Sequence, residues 1–145
     1  MDSSGYSGTP LWKKLGYQTG MAAYVDGAPE NYRALVGLPP EVKVRWLTRP
    51  AAGMNFVHLF ATQASGLMTR LNPCREKIAP DAVVWLSWPK KSSGVQTDLT
   101  ENAIRDLALK TPFVDVKVCA IDDTWSGLKL VVRKELRSSF ASARK

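Results

Sequence analysis

Ala82-Val83-Val84-Trp85-Leu86-Ser87-Trp88-Pro89-Lys90-Lys91-Ser92-Ser93-Gly94, followed by Asp98-Leu99-Thr100-Glu101, is the stretch that decides how this chain folds. The unbroken apolar run Val83 to Leu86 has the pattern of a strand buried on both faces, which arises where helices cover a parallel sheet. Trp88-Pro89 closes the strand and opens a basic loop. Asp98 to Glu101 then has the spacing of a capping box, with Asp98 accepting from free amides and Glu101 reaching back. Leu99, Ala103, Ile104, Leu107 and Ala108 form one apolar stripe, which predicts a helix from Asp98 to about Lys110. A strand that runs through a basic, glycine-containing loop into a helix start is where open α/β sheets hold anionic ligands, because the first helical amides have no partner of their own.

Working outward from this unit, the pattern repeats. Thr9 before Pro10 starts a short helix that Gly16 stops. Met21 to Val25 is apolar on both faces and ends in Asp26-Gly27-Ala28-Pro29, after which Glu30 to Val36 fits a short helix ending at Gly37. Val42, Val44 and Trp46 alternate with Lys43 and Arg45, as in an edge strand with one wet face. Phe56 to Ala61 is apolar except for His58 and reads as a central strand. Ala64, Leu67, Met68 and Leu71 then share a helix face. Asn72-Pro73 is expected to break that helix and restart it toward Ile78, with Pro80-Asp81 turning the chain into the Val83 strand. Beyond Pro112, Val114, Val116 and Val118 alternate with Asp115 and Lys117. The turn Asp122-Asp123-Thr124-Trp125-Ser126-Gly127 then leads into Leu128 to Val132 and closes a hairpin.

Strands alternating with helices predict an α/β fold: a three-layer, Rossmann-like, mostly parallel sheet of about six strands finished by an antiparallel hairpin. With the strands labelled A to F in chain order, the predicted spatial order is B-A-C-D-F-E, since B and E alternate as edges do while A, C and D are apolar on both faces. The link from B to C, Arg49 to Asn55, has room only for an extended crossover, which leaves the direction of B open. At 145 residues the chain fits one domain. Residues 9–137 form it, between a flexible Ser- and Gly-rich start, 1–8, and a flexible basic tail, 138–145. No apolar run approaches the eighteen or so residues of a membrane helix, and no secretory signal opens the chain, so the expected location is the cytoplasm. Cys74 and Cys119 lie far apart in apolar patterns and read as reduced core thiols.

Five tryptophans and a net charge of +7 raise the question of nucleic acid. The charges are scattered and match no known nucleic-acid motif, so solvated surface stands beside a weak preference for phosphate or nucleic acid. The rim at the C-terminal strand ends is the better site. Trp88, Lys90, Lys91, Ser92 and Ser93 leave strand D there, Asp122, Asp123 and Trp125 leave strand E, and Asp26, Gly27, Thr62 and Gln63 flank the point where the chain diverges. Lys90 and Lys91 would supply charge to a small anionic or phosphate-bearing ligand. Equally, they would pair with Asp122 and Asp123 and fasten two loops.

Other chemistries lack their residues. One glycine follows strand A where a dinucleotide or methyl-donor loop carries several, and Leu47-Thr48-Arg49 offers no acid to a ribose. S-adenosylmethionine therefore stands as an alternative cofactor against a merely structural turn. His58, the lone histidine, suits a hydrogen-bonded core position better than a base. No metal set, nucleophile elbow or phosphate-binding P-loop is present.

Ser7-Gly8-Thr9-Pro10-Leu11, Trp88-Pro89-Lys90-Lys91, Thr97-Asp98-Leu99-Thr100-Glu101, Asp115-Val116-Lys117-Val118 and Trp125-Ser126-Gly127-Leu128-Lys129-Leu130 resemble, over most of the chain, a bacterial family of small cytoplasmic proteins classed as a domain of unknown function. That resemblance implies no catalytic residue. The strand order and closing hairpin also resemble a shortened class I methyltransferase, a likeness of fold that does not carry function. The expectation is a non-enzymatic protein binding a small anionic ligand or a protein partner at its strand ends. A minimal S-adenosylmethionine-dependent methyltransferase-like enzyme and a basic nucleic-acid accessory protein are the alternatives.

Overall fold

Six strands form one sheet: β1 (Ala22–Asp26), β2 (Arg45–Leu47), β3 (Met54–Phe60), β4 (Ile78–Pro89), β5 (Phe113–Ala120) and β6 (Trp125–Val132). Their order in this computed structural model is β2-β1-β3-β4-β6-β5, the order B-A-C-D-F-E expected from the sequence. The structure describes residues 9–138, so the two segments expected to be flexible, 1–8 and 138–145, lie outside it but for Ser138. β2, β1, β3 and β4 run parallel, and β6 lies antiparallel between β4 and β5. The open question about strand B is thereby answered. β2 is parallel although only three residues long, because Trp46 packs into the core on one face of the sheet and Leu47 into the core on the other.

Helices cover both faces. α1 (Leu11–Leu15) and α2 (Tyr32–Val36) lie over one, where Leu11, Leu15, Tyr32 and Val36 meet Phe56, Phe60 and Trp85. Over the other face, α3 (Ala64–Arg75) and α4 (Glu101–Leu109) bury Leu67, Leu71, Ile104 and Ala108 against Val57, Leu59, Val84 and Leu86. From Phe56 in β3 and Ala82 in β4 onward, side chains alternate between the two cores, which is why these stretches read as continuous apolar runs. Among the described residues no helix is long and apolar enough to cross a membrane.

Three local expectations are corrected. α3 is not broken at Asn72-Pro73 but continues to Arg75, because Leu67, Leu71 and Cys74 anchor it to the sheet and Pro73 removes an amide only in its last turn. No helix forms toward Ile78. Residue 78 instead starts β4, and Pro80 falls where the β3–β4 register slips between Met54↔Ile78 and Phe56↔Val83, so its missing N–H removes no ladder bond. Finally, α4 begins later than Asp98. Thr100 is its N-cap, accepting from the Ala103 amide at 3.1 Å, while the Asp98 carboxylate accepts from Ala64 N–H at 2.9 Å and caps the start of α3. Glu101 does not reach back either; it pairs with Arg105 one turn on.

Candidate ligand site at the strand ends

β1, β3 and β4 all end at one border of the sheet, where the lysine loop meets the β5–β6 turn. Lys90 N–H donates to the Thr124 carbonyl at 2.7 Å and joins the two segments through backbone. Lys90 is half-buried, Lys91 and Ser92 are exposed, and Lys91–Ser93 forms a single 3₁₀ turn closed by Gly94. Ser93 Oγ donates to the Lys90 carbonyl at 2.7 Å, so this hydroxyl builds the turn. Asp122 does the same opposite: its Oδ1 accepts from the amides of Thr124 and Trp125 at 2.9 and 2.8 Å. Among the described residues no ion pair joins Asp122 to either lysine, and the Lys90–Thr124 bond between these loops is a main-chain one. Asp123 is exposed on the same turn.

The two tryptophans assigned to a shared rim lie on opposite faces. Trp88 is buried with α3 and α4, whereas Trp125 is half-buried on the α1 side, edge-on to Phe60 at 5.1 Å. Alternation explains this: Trp88 pairs in register with Ser126, one residue beyond Trp125. Trp88 is therefore a core residue of β4. It lies in the lining of a hollow of about 330 Å³ together with Pro89, Lys91, Thr97, Leu99, Thr100 and Glu101. Thr97 and the Asp98 amide both bond to the Thr62 carbonyl, at 2.6 and 3.2 Å, which ties this wall to the start of α3. Neighbouring Gln63 is the exposed N-cap residue of α3 and makes no side-chain cap bond. Among the described residues Lys91 is the only cation lining the hollow. The one carboxylate there, Glu101, already faces Arg105, which also holds Asp115 at 3.1 Å.

At the divergence of β1 and β3 the chain is filled by its own side chain. Arg70 on α3 reaches toward the strand ends, donating from Nη2 to the Phe60 carbonyl at 2.7 Å and from Nη1 to Asp26 at 3.3 Å. Gly27, at φ 76°, packs so closely that a Cβ there would lie 2.6 Å from the Phe60 oxygen and 3.0 Å from Arg70 Nη1. Its glycine serves a protein–protein contact within the fold. A second hollow of about 330 Å³ opens beside it, between the ends of β1 and β2, lined by Val25, Ala28, Glu30, Tyr32, Arg33, Trp46 and Leu47. The Arg33 guanidinium lies over the Trp46 ring at 4.4 Å.

His58 sits in the core beneath, where the sequence placed it. A buried chain runs from Tyr17 to Tyr32 (2.7 Å), Tyr32 to His58 Nδ1 (2.8 Å) and His58 Nε2 to Ser87 (2.7 Å). Complete desolvation pushes the imidazole down to about 3, so it is neutral, and burial raises both tyrosines. Cys74 and Cys119 are free thiols. Among the described residues no three His, Cys, Asp or Glu side chains gather as a metal site would require.

The topology of a single reversed strand inserted before the last edge, in a sheet otherwise parallel, is decisive for the fold. It is a methyltransferase-like fold. Solved structures similar to this chain include an S-adenosylmethionine-dependent methyltransferase from Aquifex aeolicus, at 12% identity over 83% of this chain and 87% of that one, with a TM-score of 0.53. An O-methyltransferase from neocarzinostatin biosynthesis, in complex with S-adenosylmethionine and 2-hydroxy-5-methyl naphthoic acid, has a TM-score of 0.61 at 12% identity; the match covers 91% of this chain but only 53% of that enzyme. Magnesium protoporphyrin IX methyltransferase from Synechocystis PCC 6803, with S-adenosylmethionine bound, matches at 10% identity over 85% and 74% of the two chains, with a TM-score of 0.52. No family model and no curated protein matches the chain. The family resemblance drawn from the motifs stands on those residues alone.

Identity this low shows a fold and leaves the ligand to be judged on the residues. A methyl donor needs backbone exposed after β1, and here the crevice beside Gly27 is occupied by Arg70 and the Phe60 carbonyl. The contact of Arg70 and the Phe60 carbonyl with Gly27 counts against the donor at that one point of the fold.

Proposed function

We propose that this protein binds a small ligand carrying an anionic group on an apolar body, in the hollow between the Lys91 turn and the start of α4. The observation that carries this reading is the composition of that hollow. Trp88, Pro89 and Leu99 offer an apolar floor, Lys91 is the one cation among the described lining residues, and Thr97, Thr100 and Glu101 form the wall. An ammonium facing a carboxylate or phosphate makes a charge-assisted bond. The two free thiols suit a reducing compartment, and the bacterial cytoplasm is the location proposed.

A second reading, S-adenosylmethionine binding by a minimal methyltransferase, is favoured by the fold shared with enzymes of that class. It has more support from the comparisons than the first reading, at the level of fold. The hollow between β1 and β2 would take the nucleoside, with Glu30 toward ribose hydroxyls and Trp46 beside the base. The crevice filled by Arg70 counts against it.

Isothermal titration separates the two. Phenyl phosphate binding to the native chain and weakened about tenfold by Lys91→Ala, but not by Glu30→Ala, supports the first reading. S-adenosylmethionine binding that responds to Glu30→Ala and not to Lys91→Ala would replace it with the second.

A further inference from the structure

The closing hairpin carries two lysines in an unusual position. Lys117 on β5 and Lys129 on β6 are register partners in the antiparallel ladder, so their side chains leave the same face of the sheet side by side. Like charges directly opposite destabilise a sheet. The placement comes from a break in register between Asp115 and Lys117: Asp115 pairs with Leu130, and Lys117, two residues on, pairs with Lys129. Regular alternation would keep both residues on the α4 face, where Asp115 meets Arg105 at 3.1 Å. The irregularity turns Lys117 to the α1 face instead, away from that acid and toward Lys129, as bulges re-aim side chains at functional edges.

The surroundings add positive charge. Lys129 is in register with Trp85, whose indole N–H donates to the Leu15 carbonyl at the end of α1 at 2.8 Å, and α1 also carries Lys14. At the half-buried Cys119 thiol, two residues along β5, the fields of Lys117, Lys14 and Lys129 are all felt. Burial, and after it Lys117, hold the Lys129 ammonium below its ordinary value. None of the ion pairs between described residues involves Lys117 or Lys129.

We propose that Lys117 and Lys129 form a binding site for a phosphate-type oxyanion on the α1 face of the β5–β6 hairpin. The oxyanion sits between the two ammonium groups and offsets their repulsion. It is supplied either by a free polyphosphate-bearing small molecule or by a nucleic-acid backbone. This site lies along the strands rather than at their ends and does not depend on the Lys91 hollow.

Titration of the full chain with pyrophosphate, and separately with a short single-stranded oligonucleotide, tests it at low salt. Each is run on the native protein, Lys117→Gln, Lys117→Gln/Lys129→Gln, and the control Lys43→Gln/Lys110→Gln, which removes the same charge elsewhere. The double hairpin variant is expected to lose binding at least about tenfold, with the control close to native. It should also melt no lower than native without ligand. Exposed Lys117→Gln alone gives the same direction should the double variant fold poorly. Binding of pyrophosphate identifies a free anion, and binding of the oligonucleotide alone identifies a backbone. Failure of both probes to bind, or equal losses in the control and hairpin variants, overturns the proposal.

Discussion

Acidifying the protein from about pH 7.5 to about pH 5 should lower its folding stability by about 2 kcal/mol through one buried group, His58. The imidazole is fully buried among Tyr32, Ser87 and Phe60, and desolvation holds it at about 3 when folded. In the unfolded chain it titrates near its ordinary 6.5. The unfolded state therefore takes up a proton first as pH falls. The stabilisation is complete above about pH 7 and disappears progressively through 6.5 toward 3, at about 1.4 kcal/mol per pH unit once below the unfolded value. Few carboxylates titrate above pH 5, so that window isolates the histidine, which is the only one in the chain. Urea unfolding at a series of pH values measures the slope, and the single imidazole resonance in proton NMR reports the folded-state titration. A flat stability profile above pH 5, with an imidazole resonance that moves near pH 6.5, would refute the argument. His58→Phe should remove the slope and lower stability at pH 7.5, because the Tyr32 and Ser87 hydroxyls lose a buried partner at about 1–3 kcal/mol each.

Gly27→Ala should destabilise by about 2–4 kcal/mol, since alanine must hold a left-handed φ and its methyl would meet the Phe60 carbonyl; chemical denaturation reads this, and a change under 1 kcal/mol would show the crevice to be loose. Asp98→Ala should cost about 1 kcal/mol and speed hydrogen exchange at the Ala64 amide, leaving the α4 amides protected by Thr100; faster exchange at α4 instead would restore Asp98 as the cap of that helix.

Strand order was readable because β1, β3 and β4 are buried on both faces and must therefore be central, while β2 and β5 keep polar positions that only edges tolerate. Chain-local signals failed where a distant partner decided the outcome. Asp98 and Thr100 are both good caps, and the amide that claims Asp98 lies 34 residues away at Ala64. Pro73 breaks an isolated helix but not one pinned by Leu71 and Cys74. At the candidate hollow, the strand–loop–helix pattern points to Lys91 and Trp88, whereas Leu99 and Glu101 read as core and capping residues and Thr97 and Thr100 carry no sequence sign of lining a hollow. Nothing in the helical pattern around Arg70 indicates that its side chain reaches Phe60 and closes the crevice after β1. Glu30 and Trp46 likewise come together only through the pairing of β1 with β2.

Amide chemical-shift mapping during titration with phenyl phosphate tests the strand-end site most directly. The account predicts shifts concentrated at Lys91, Thr97, Thr100 and Glu101, reduced in Lys91→Ala, with Gly27 and Ala28 unmoved. Shifts centred on Gly27, Ala28 and Glu30, or none at saturating phenyl phosphate, would contradict it.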